Sequence, residues 1–206
     1  MNQAEERAQF VEAMNNLTSG TYKAQGDLID FTLYDSMYVD NATPTLNQQL
    51  FVNGLGQTDP VTGNRKVLSD TNMRGRVGIP QGQKLMVKFI KTFYHFETVD
   101  ADGTTLLAFY DMLAETTVNI RIEGKDTYGV WGLDEMLNFP ISNASTGATQ
   151  ISTQGKAVGV YPLELPIVLA SLTSFELTIT HDVAPAAALQ DDKLKIGLCG
   201  VLGRLS

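Results

Sequence analysis

The feature that most limits the fold is a series of short segments in which apolar and polar residues alternate, separated by turn residues. The clearest is "QKLMVKFIKTFYHF", which follows a polar, glycine-containing approach and an Ile-Pro-Gln-Gly turn. Leu85, Val87 and Phe89 fall on one face of an extended chain. Phe93 continues that face, and Ile90 lies on the opposite one. The pattern predicts a β-strand entered through a turn.

Similar segments occur along much of the chain, and turn residues separate them. The last two contain clean alternations of Phe, Leu and Ile, whereas the one before them is broken by two prolines, which places it at a sheet edge or a crossover. Around Tyr110, "TTLLAFYDMLAE" has helical spacing. The predicted extended segments are Leu28–Tyr34, Gln48–Leu55, Thr117–Ile122, Asp126–Leu133, "VGVYPLELPIVL", "SFELTIT" and "KLKIGLCGVLGRLS".

Many short strands, turn residues between them and one small inserted helix predict a mainly β protein. The most economical architecture is a jelly-roll β-sandwich with a short inserted helix and an N-terminal helix or extended arm. We expect residues 1–68 to form that helix and arm, and residues 69–206 to form the sandwich. A chain of 206 residues suits one large β-domain with an arm.

The arm prediction rests on two neighbouring regions. In "NQAEERAQFVEAMNNLTSG", Phe10, Met14 and Leu17 form an apolar stripe at helical spacing, and so short a helix needs something to pack against. From Thr21 to Gly82 the chain is rich in Gly, Asn, Asp, Thr and Pro. Long irregular stretches of this kind can wrap over a partner.

The charge of the chain disfavours one class of partner. A net charge of −8 repels a phosphate backbone, so we expect no direct binding of nucleic acid. Basic clusters such as Arg65-Lys66 and the run from Lys84 to Lys91 are interpreted as solvated turns and a strand face. Neither an export signal nor an apolar run long enough to span a membrane is recognised, which predicts folding in a cytoplasm and no membrane partner.

The residues that most often carry chemistry do not form a convincing site. His95, His181 and Cys199 are too few and too irregularly spaced for a metal motif, and the apolar setting of Cys199 suggests a buried side chain. "DADG" is better explained as a turn than as a calcium loop. We therefore expect no catalytic residue, no metal and no cofactor, and interpret the protein as not being an enzyme.

One aromatic pair allows an alternative. Tyr128 and Trp131, in "TYGVWGL", could form a platform for sugar rings, although packing within a hairpin is the commoner use of such residues. That interpretation makes the chain a glycan- or receptor-binding β-sandwich module.

Three pieces of the chain together resemble a known class of protein. "SDTNM" followed by "GIPQGQKLMVKFI", then "LLAFYDMLAETTVNIRIEGKDTY", and finally "LPIVLASLTSFELTIT" with "KLKIGLCGVLGR" are similar to small jelly-roll proteins that decorate or cement the heads of tailed bacteriophages. The likeness covers most of Asp70 to Arg204 and lies in the general pattern of residues rather than in an invariant motif.

The resemblance implies a structural role in the virion. It implies a capsid cement or decoration protein, located in the phage head, that bridges major capsid protein subunits, stabilises the head and forms a homotrimer. The residues then available for partner binding are in the N-terminal third: Phe10, Met14, Leu17, Phe31, Tyr34 and Phe51. A second structural interpretation makes the chain a single jelly-roll protein that forms the shell itself.

Overall fold

The structure is a computed structural model, and the part of the chain that it describes excludes most of the N-terminal region. The described residues are 5, 8–9, 11–12, 28–39, 47–60, 62–74, 79, 81–97, 104–122, 127–137, 156–171 and 173–204. The predicted partner-binding residues Phe10, Met14 and Leu17 lie outside them.

Residues 5, 8–9 and 11–12 are helical, and the remaining described residues form eight β-strands, two α-helices and a 3₁₀ helix. In chain order these are β1 (Leu28–Tyr38), β2 (Asn47–Leu50), β3 (Gln83–His95), α1 (Thr104–Ala114), β4 (Thr116–Ile122), β5 (Gly129–Gly132), α2 (Leu133–Met136), β6 (Lys156–Leu169), β7 (Phe175–His181), the 3₁₀ helix (Ala187–Leu189) and β8 (Lys193–Arg204).

The strands of the described chain form two four-stranded antiparallel sheets. Sheet I has the order β1-β8-β3-β6, and sheet II has the order β2-β7-β4-β5. The pairing is nested: β1 pairs with β8, β2 with β7, β3 with β6 and β4 with β5. A ribbon of four nested strand pairs wrapped into two sheets is the jelly roll. The prediction of a mainly β, jelly-roll sandwich is confirmed.

The hydrophobic core lies between the two sheets and is lined by alternate residues of each strand. In β7, Phe175, Leu177 and Ile179 are buried, as their alternation predicts. In sheet I the same inward side carries Ile196 and Leu198 of β8. Because successive side chains of a strand point to opposite faces of the sheet, the remaining residues of each strand lie on the outer faces.

A β-bulge in β3 changes the faces that the sequence predicts. The register shifts between Val87 and Phe89, so that Val87 opposes Gly200 and Phe89 opposes Cys199. Leu85 and Val87 face the core as predicted, but the inserted residue reverses the alternation, so Ile90 is buried at 0% exposure. The prediction that Phe89 shares a face with Val87 is therefore wrong.

Helix α1 closes one end of the sandwich. It is built from good helix formers, and its inward side carries Phe109, whose ring centroid lies 4.5 Å from Tyr94 and 4.9 Å from Phe96. The helix ends where β-branched residues begin: the Glu115 N–H donates to the Asp111 carbonyl, and β4 starts at Thr116. The inserted helix predicted from the sequence is confirmed.

Residues before position 69 contribute two strands to the sandwich. Strand β1 pairs with β8 over its whole length, from Leu28 opposite Gly203 to Tyr38 opposite Lys193, and β2 pairs with β7. Leu33 and Leu50 belong to the main core. The boundary placed between residues 68 and 69 therefore divides the sandwich, and the described residues from 28 onward are not an extended arm.

The segment between β2 and β3 is held to β1 by a buried ion pair. The Lys66 N–H donates to the Gln57 carbonyl at 2.8 Å and the Gly56 N–H donates to the Lys66 carbonyl at 2.9 Å, which closes a small hairpin. The Lys66 ammonium lies 2.7 Å from a carboxylate oxygen of Asp35, and the two side chains are 4% and 0% exposed. The other Asp35 oxygen accepts the Phe51 N–H at 2.7 Å, at a residue with a positive φ of 65°. This network fixes the turn that follows β2.

The two edge strands of sheet I differ in what occupies their backbone groups. At β1, the Asn72 side chain accepts the Tyr34 N–H at 2.8 Å and donates to the Thr32 carbonyl at 2.7 Å, which satisfies backbone groups at that edge. Strand β6 forms the opposite edge and contains Pro162 and Pro166, as the sequence predicts.

Candidate interaction surface

The outer face of sheet I combines lysines with aromatic and aliphatic side chains. The strand register places Lys91 between Gly197 and Val160, and Phe93 between Lys195 and Val158. We call this surface the lysine-aromatic face. Its members are Tyr34, Tyr38, Phe89, Lys91, Phe93, Val158, Val160, Lys193 and Lys195.

Three of its lysines lie over aromatic rings. The Nζ atom of Lys91 is 5.3 Å from the centre of the Phe93 ring, and that of Lys195 is 4.9 Å from the centre of the Tyr34 ring. Lys193 lies over Tyr38 at 5.2 Å. Such contacts hold an ammonium group against an apolar surface. Sequence analysis missed the contacts of Lys193 and Lys195 because their partners lie on a different strand, β1.

The loop before β3 borders this face and fixes two of the lysines. Lys193 forms an ion pair with Asp70, and Lys195 donates to the Ser69 carbonyl. Partial burial raises the pKa of Asp70, but hydrogen bonds from Lys193 and the Val67 N–H outweigh it and hold that pKa below its usual value. Partial burial lowers the pKa of Lys195.

Strand β6 makes one side of the face apolar. Val158 is 42% exposed and Val160 is 56% exposed, next to the half-buried Phe93 and Lys91 of β3. Contiguous exposed apolar side chains with charged groups around them are typical of protein interaction surfaces. The arrangement therefore suits a partner that offers both apolar groups and carboxylates.

The outer face of sheet II has a different composition. Thr180 donates to Asn47 at 2.8 Å, and Glu176 accepts from Gln49 at 3.2 Å. Arg121 lies 3.4 Å from Glu176. Polar side chains that satisfy one another in this way form an ordinary solvated face, so the two outer surfaces of the sandwich differ in kind.

One N-terminal residue contacts the outer side of sheet I beyond the lysine-aromatic face. Val11, in a helical turn, packs against a small buried cluster of Met86 and Val201, together with Leu28 and Val168. The N-terminal helix predicted from the sequence therefore has at least one contact with the sandwich of its own chain.

The described residues predicted to bind a partner have separate positions. Phe51 is 1% exposed and contacts Phe175 with ring centroids 5.4 Å apart, so its side chain is part of the core and is not available to a partner. Phe31 is half-buried against the core. Tyr34 alone lies on the lysine-aromatic face, where its hydroxyl donates to the Leu68 carbonyl at 2.6 Å.

The aromatic pair considered as a glycan platform is divided. Trp131 opposes Val118, a core residue, and its ring centroid lies 6.1 Å from that of Tyr161. The indole ring covers Gly129, where a methyl group would come within 2.5 Å of it. Tyr128 precedes the strand and is 40% exposed. Trp131 is thus a packing residue, and its ring is not presented as a flat platform.

The histidines and the cysteine lie in separate places. His95 is exposed at the end of β3, whereas His181 is 3% exposed and its Nδ1 lies 2.8 Å from the Thr116 hydroxyl. Burial lowers the pKa of His181. Cys199 is buried as predicted and accepts from the Thr32 hydroxyl at 3.3 Å. Within the described ranges no three His, Cys, Asp or Glu side chains are arranged to hold a metal ion.

A buried carboxyl group at the end of sheet I has a strongly shifted pKa. Asp192 accepts the Tyr94 hydroxyl at 2.9 Å and the Glu97 N–H at 2.7 Å. Its burial nevertheless raises its pKa to about 6. The group ties β8 to the chain that leaves β3, and we interpret it as structural.

Comparison of the sequence with profiles of known protein families and with curated protein sequences finds no match. A separate search of the helices in the described residues finds none with the length and apolar character needed to cross a membrane.

Proposed function

We propose that this chain is a structural protein of a tailed-bacteriophage virion, a cement or decoration protein of the head that bridges major capsid protein subunits. The observation that carries the proposal is the nested strand order of the two sheets, because the jelly roll is an architecture that viral capsid proteins share. Lectin domains and small-molecule-binding proteins use it too, so the proposal also rests on the resemblance in sequence texture.

The lysine-aromatic face supports an assembly role. A protein that stabilises a shell must hold neighbouring subunits through exposed surfaces, and many weak contacts on a symmetric shell add through multivalency. The described chain presents one broad face that is apolar and cationic, opposite one that is polar. Trp131 packs against the core of the sandwich.

A second structural function is favoured by the same strand order. Single jelly rolls can form shells directly, in which case the chain would need no separate major capsid protein. The two candidates differ in one property: a shell-forming protein assembles closed particles alone, whereas a cement protein binds particles that already exist.

Co-sedimentation tests the proposal. Purified chain is mixed with heads that lack it, prepared from the phage that carries its gene, and the pelleted fraction is measured as the chain is titrated. A cement protein binds saturably, and deletion of Met1–Gly20 weakens binding if the N-terminal helix contributes. A chain that stays in the supernatant contradicts the proposal, and closed particles formed by the chain alone favour the shell-forming function.

A further inference from the structure

We propose that the lysine-aromatic face binds the exposed side of helix α1 on a second copy of this chain. The contact joins two different surfaces of the molecule, so it runs head to tail between copies. This contact does not depend on the virion role proposed above. Binding to a shell and contact between copies are measured separately, so either can fail without the other.

The exposed side of α1 has an apolar residue with carboxylates close by. Leu107 is 65% exposed. Asp111, Ala114 and Glu115 follow it at intervals that place them on the same side, and all three are exposed. The other side of the helix carries core residues such as Phe109. Leu107, with the carboxylates of Asp111 and Glu115 beside it, is complementary to an apolar surface with cations around it.

The lysine-aromatic face offers that combination. Val158, Val160 and the ring of Phe93 form an apolar area that can receive Leu107. Lys91 lies within the same area, with its ammonium held over the Phe93 ring. Seating the leucine between the valines would bring the carboxylate of Asp111 or Glu115 toward Lys91.

Charge complementarity supports the exposed side of α1 on a second copy as the occupant. The chain has a net charge of −8, yet this face gathers three lysines, so the remainder of the molecule is more acidic still. Lys193 is already paired with Asp70. Across the described part of the chain, neither Lys91 nor Asp111 takes part in a salt bridge. The contact pairs charges that the isolated chain leaves to solvent.

A nucleic acid fits the same face less well. Single-strand binding surfaces combine stacking aromatics with a continuous cationic track. Here one lysine is neutralised by Asp70, another donates to the Ser69 carbonyl, and the edge of the face consists of valines.

The contact cannot form within one chain in the observed fold. Helix α1 packs at the end of the sandwich against the 3₁₀ helix Ala187–Leu189, with Leu107 turned to solvent, whereas the lysine-aromatic face is the outer surface of sheet I. Head-to-tail contacts of this kind generate closed rings when the rotation closes and open chains when it does not.

Reversal of single charges tests the contact. Sedimentation velocity across a concentration series measures self-association of the wild type, of Lys91→Glu and of Asp111→Lys. Each single reversal places like charges opposite each other and should weaken association by about tenfold or more. The double variant Lys91→Glu/Asp111→Lys restores an attractive pair in every contact and should regain wild-type association. Arg65→Glu and Glu135→Lys, at exposed positions elsewhere, are the matched controls and should associate like the wild type.

A further variant tests the apolar part of the contact. Leu107→Ser removes the apolar part of the contact at an exposed position, so it should weaken association without lowering the unfolding temperature. The proposal is overturned if the wild type stays monomeric, if the single reversals associate like their controls, or if the double variant does not recover. It is also overturned if a fluorescent single-stranded oligonucleotide binds the wild type and is lost in Lys91→Glu.

Discussion

Replacement of Lys66 by Met should destabilise the protein strongly, because it breaks a buried ion pair from one side. Lys66 and Asp35 are 4% and 0% exposed, with 2.7 Å between the ammonium nitrogen and the carboxylate oxygen. Met preserves most of the aliphatic packing of the lysine stem. What is lost is the partner of a buried carboxylate, and removal of one member of such a pair costs about 3–5 kcal/mol.

Part of the unfolding free energy that Lys66→Met loses should be recovered when the charge of Asp35 is also removed. Asn at position 35 keeps an acceptor for the Phe51 N–H, which donates to the carboxylate at 2.7 Å in the wild type. The Ser36 carbonyl still loses its bond from Lys66, which is worth about 1 kcal/mol. We therefore expect Asp35→Asn/Lys66→Met to be more stable than Lys66→Met alone by at least about 2 kcal/mol.

Urea unfolding followed by the fluorescence of Trp131, the only tryptophan, measures these free energies. Burial raises the pKa of Asp35 even in the presence of Lys66. Since a raised pKa favours the protonated carboxyl in the fold, the cost of Lys66→Met should shrink as the pH falls. A cost of less than about 1 kcal/mol at neutral pH, or no recovery in the double variant, would show that the pair is solvated and refute the reasoning.

Three more predictions concern the sandwich. Gly200→Ala should destabilise by about 3 kcal/mol or more in the same urea assay, because its Cβ would lie 1.8 Å from the Met86 carbonyl oxygen at the bulge; a variant as stable as wild type would contradict the observed bulge. The pKa of Asp192 is about 6, so its buried carboxylate becomes neutral as the pH falls through that value. The free energy of unfolding of the wild type should then rise by about 1 kcal/mol relative to that of Asp192→Asn. Parallel pH profiles of the two proteins would contradict this. Trp131→Ala should cost about 3 kcal/mol of unfolding free energy through lost packing, followed for this variant by circular dichroism because it has no tryptophan, while glycan-array binding stays at the background of the wild type; glycan binding that disappears in the variant would favour the receptor-binding interpretation.

The elements that sequence reasoning placed correctly are those with local signals. Phe175, Leu177 and Ile179 alternate without interruption, and the strand they predict is buried on one side. The bulge after Val87 has no such signal, since one inserted residue exchanges the faces of every residue that follows. Its trace in the sequence is indirect: Gly200, the residue opposite the bulge, has no side chain to clash with the displaced carbonyl.

The N-terminal third was misjudged for a related reason. The inward side of strand β1 carries apolar residues such as Leu33 and Met37, but Asp35 places a charged residue between them, which suggests exposure. Its burial depends on Lys66, which lies 31 residues away. The lysine-aromatic face is equally non-local, because its residues are dispersed over four strands and become neighbours only through the sheet register.

Cryo-electron microscopy of heads with and without this chain tests the central claim most directly. The account predicts difference density at symmetric positions on the outside of an otherwise complete shell, with a shape that accommodates the sandwich of sheets I and II. Density confined to the tail, no difference density, or a shell composed of the sandwich itself would contradict a cement role.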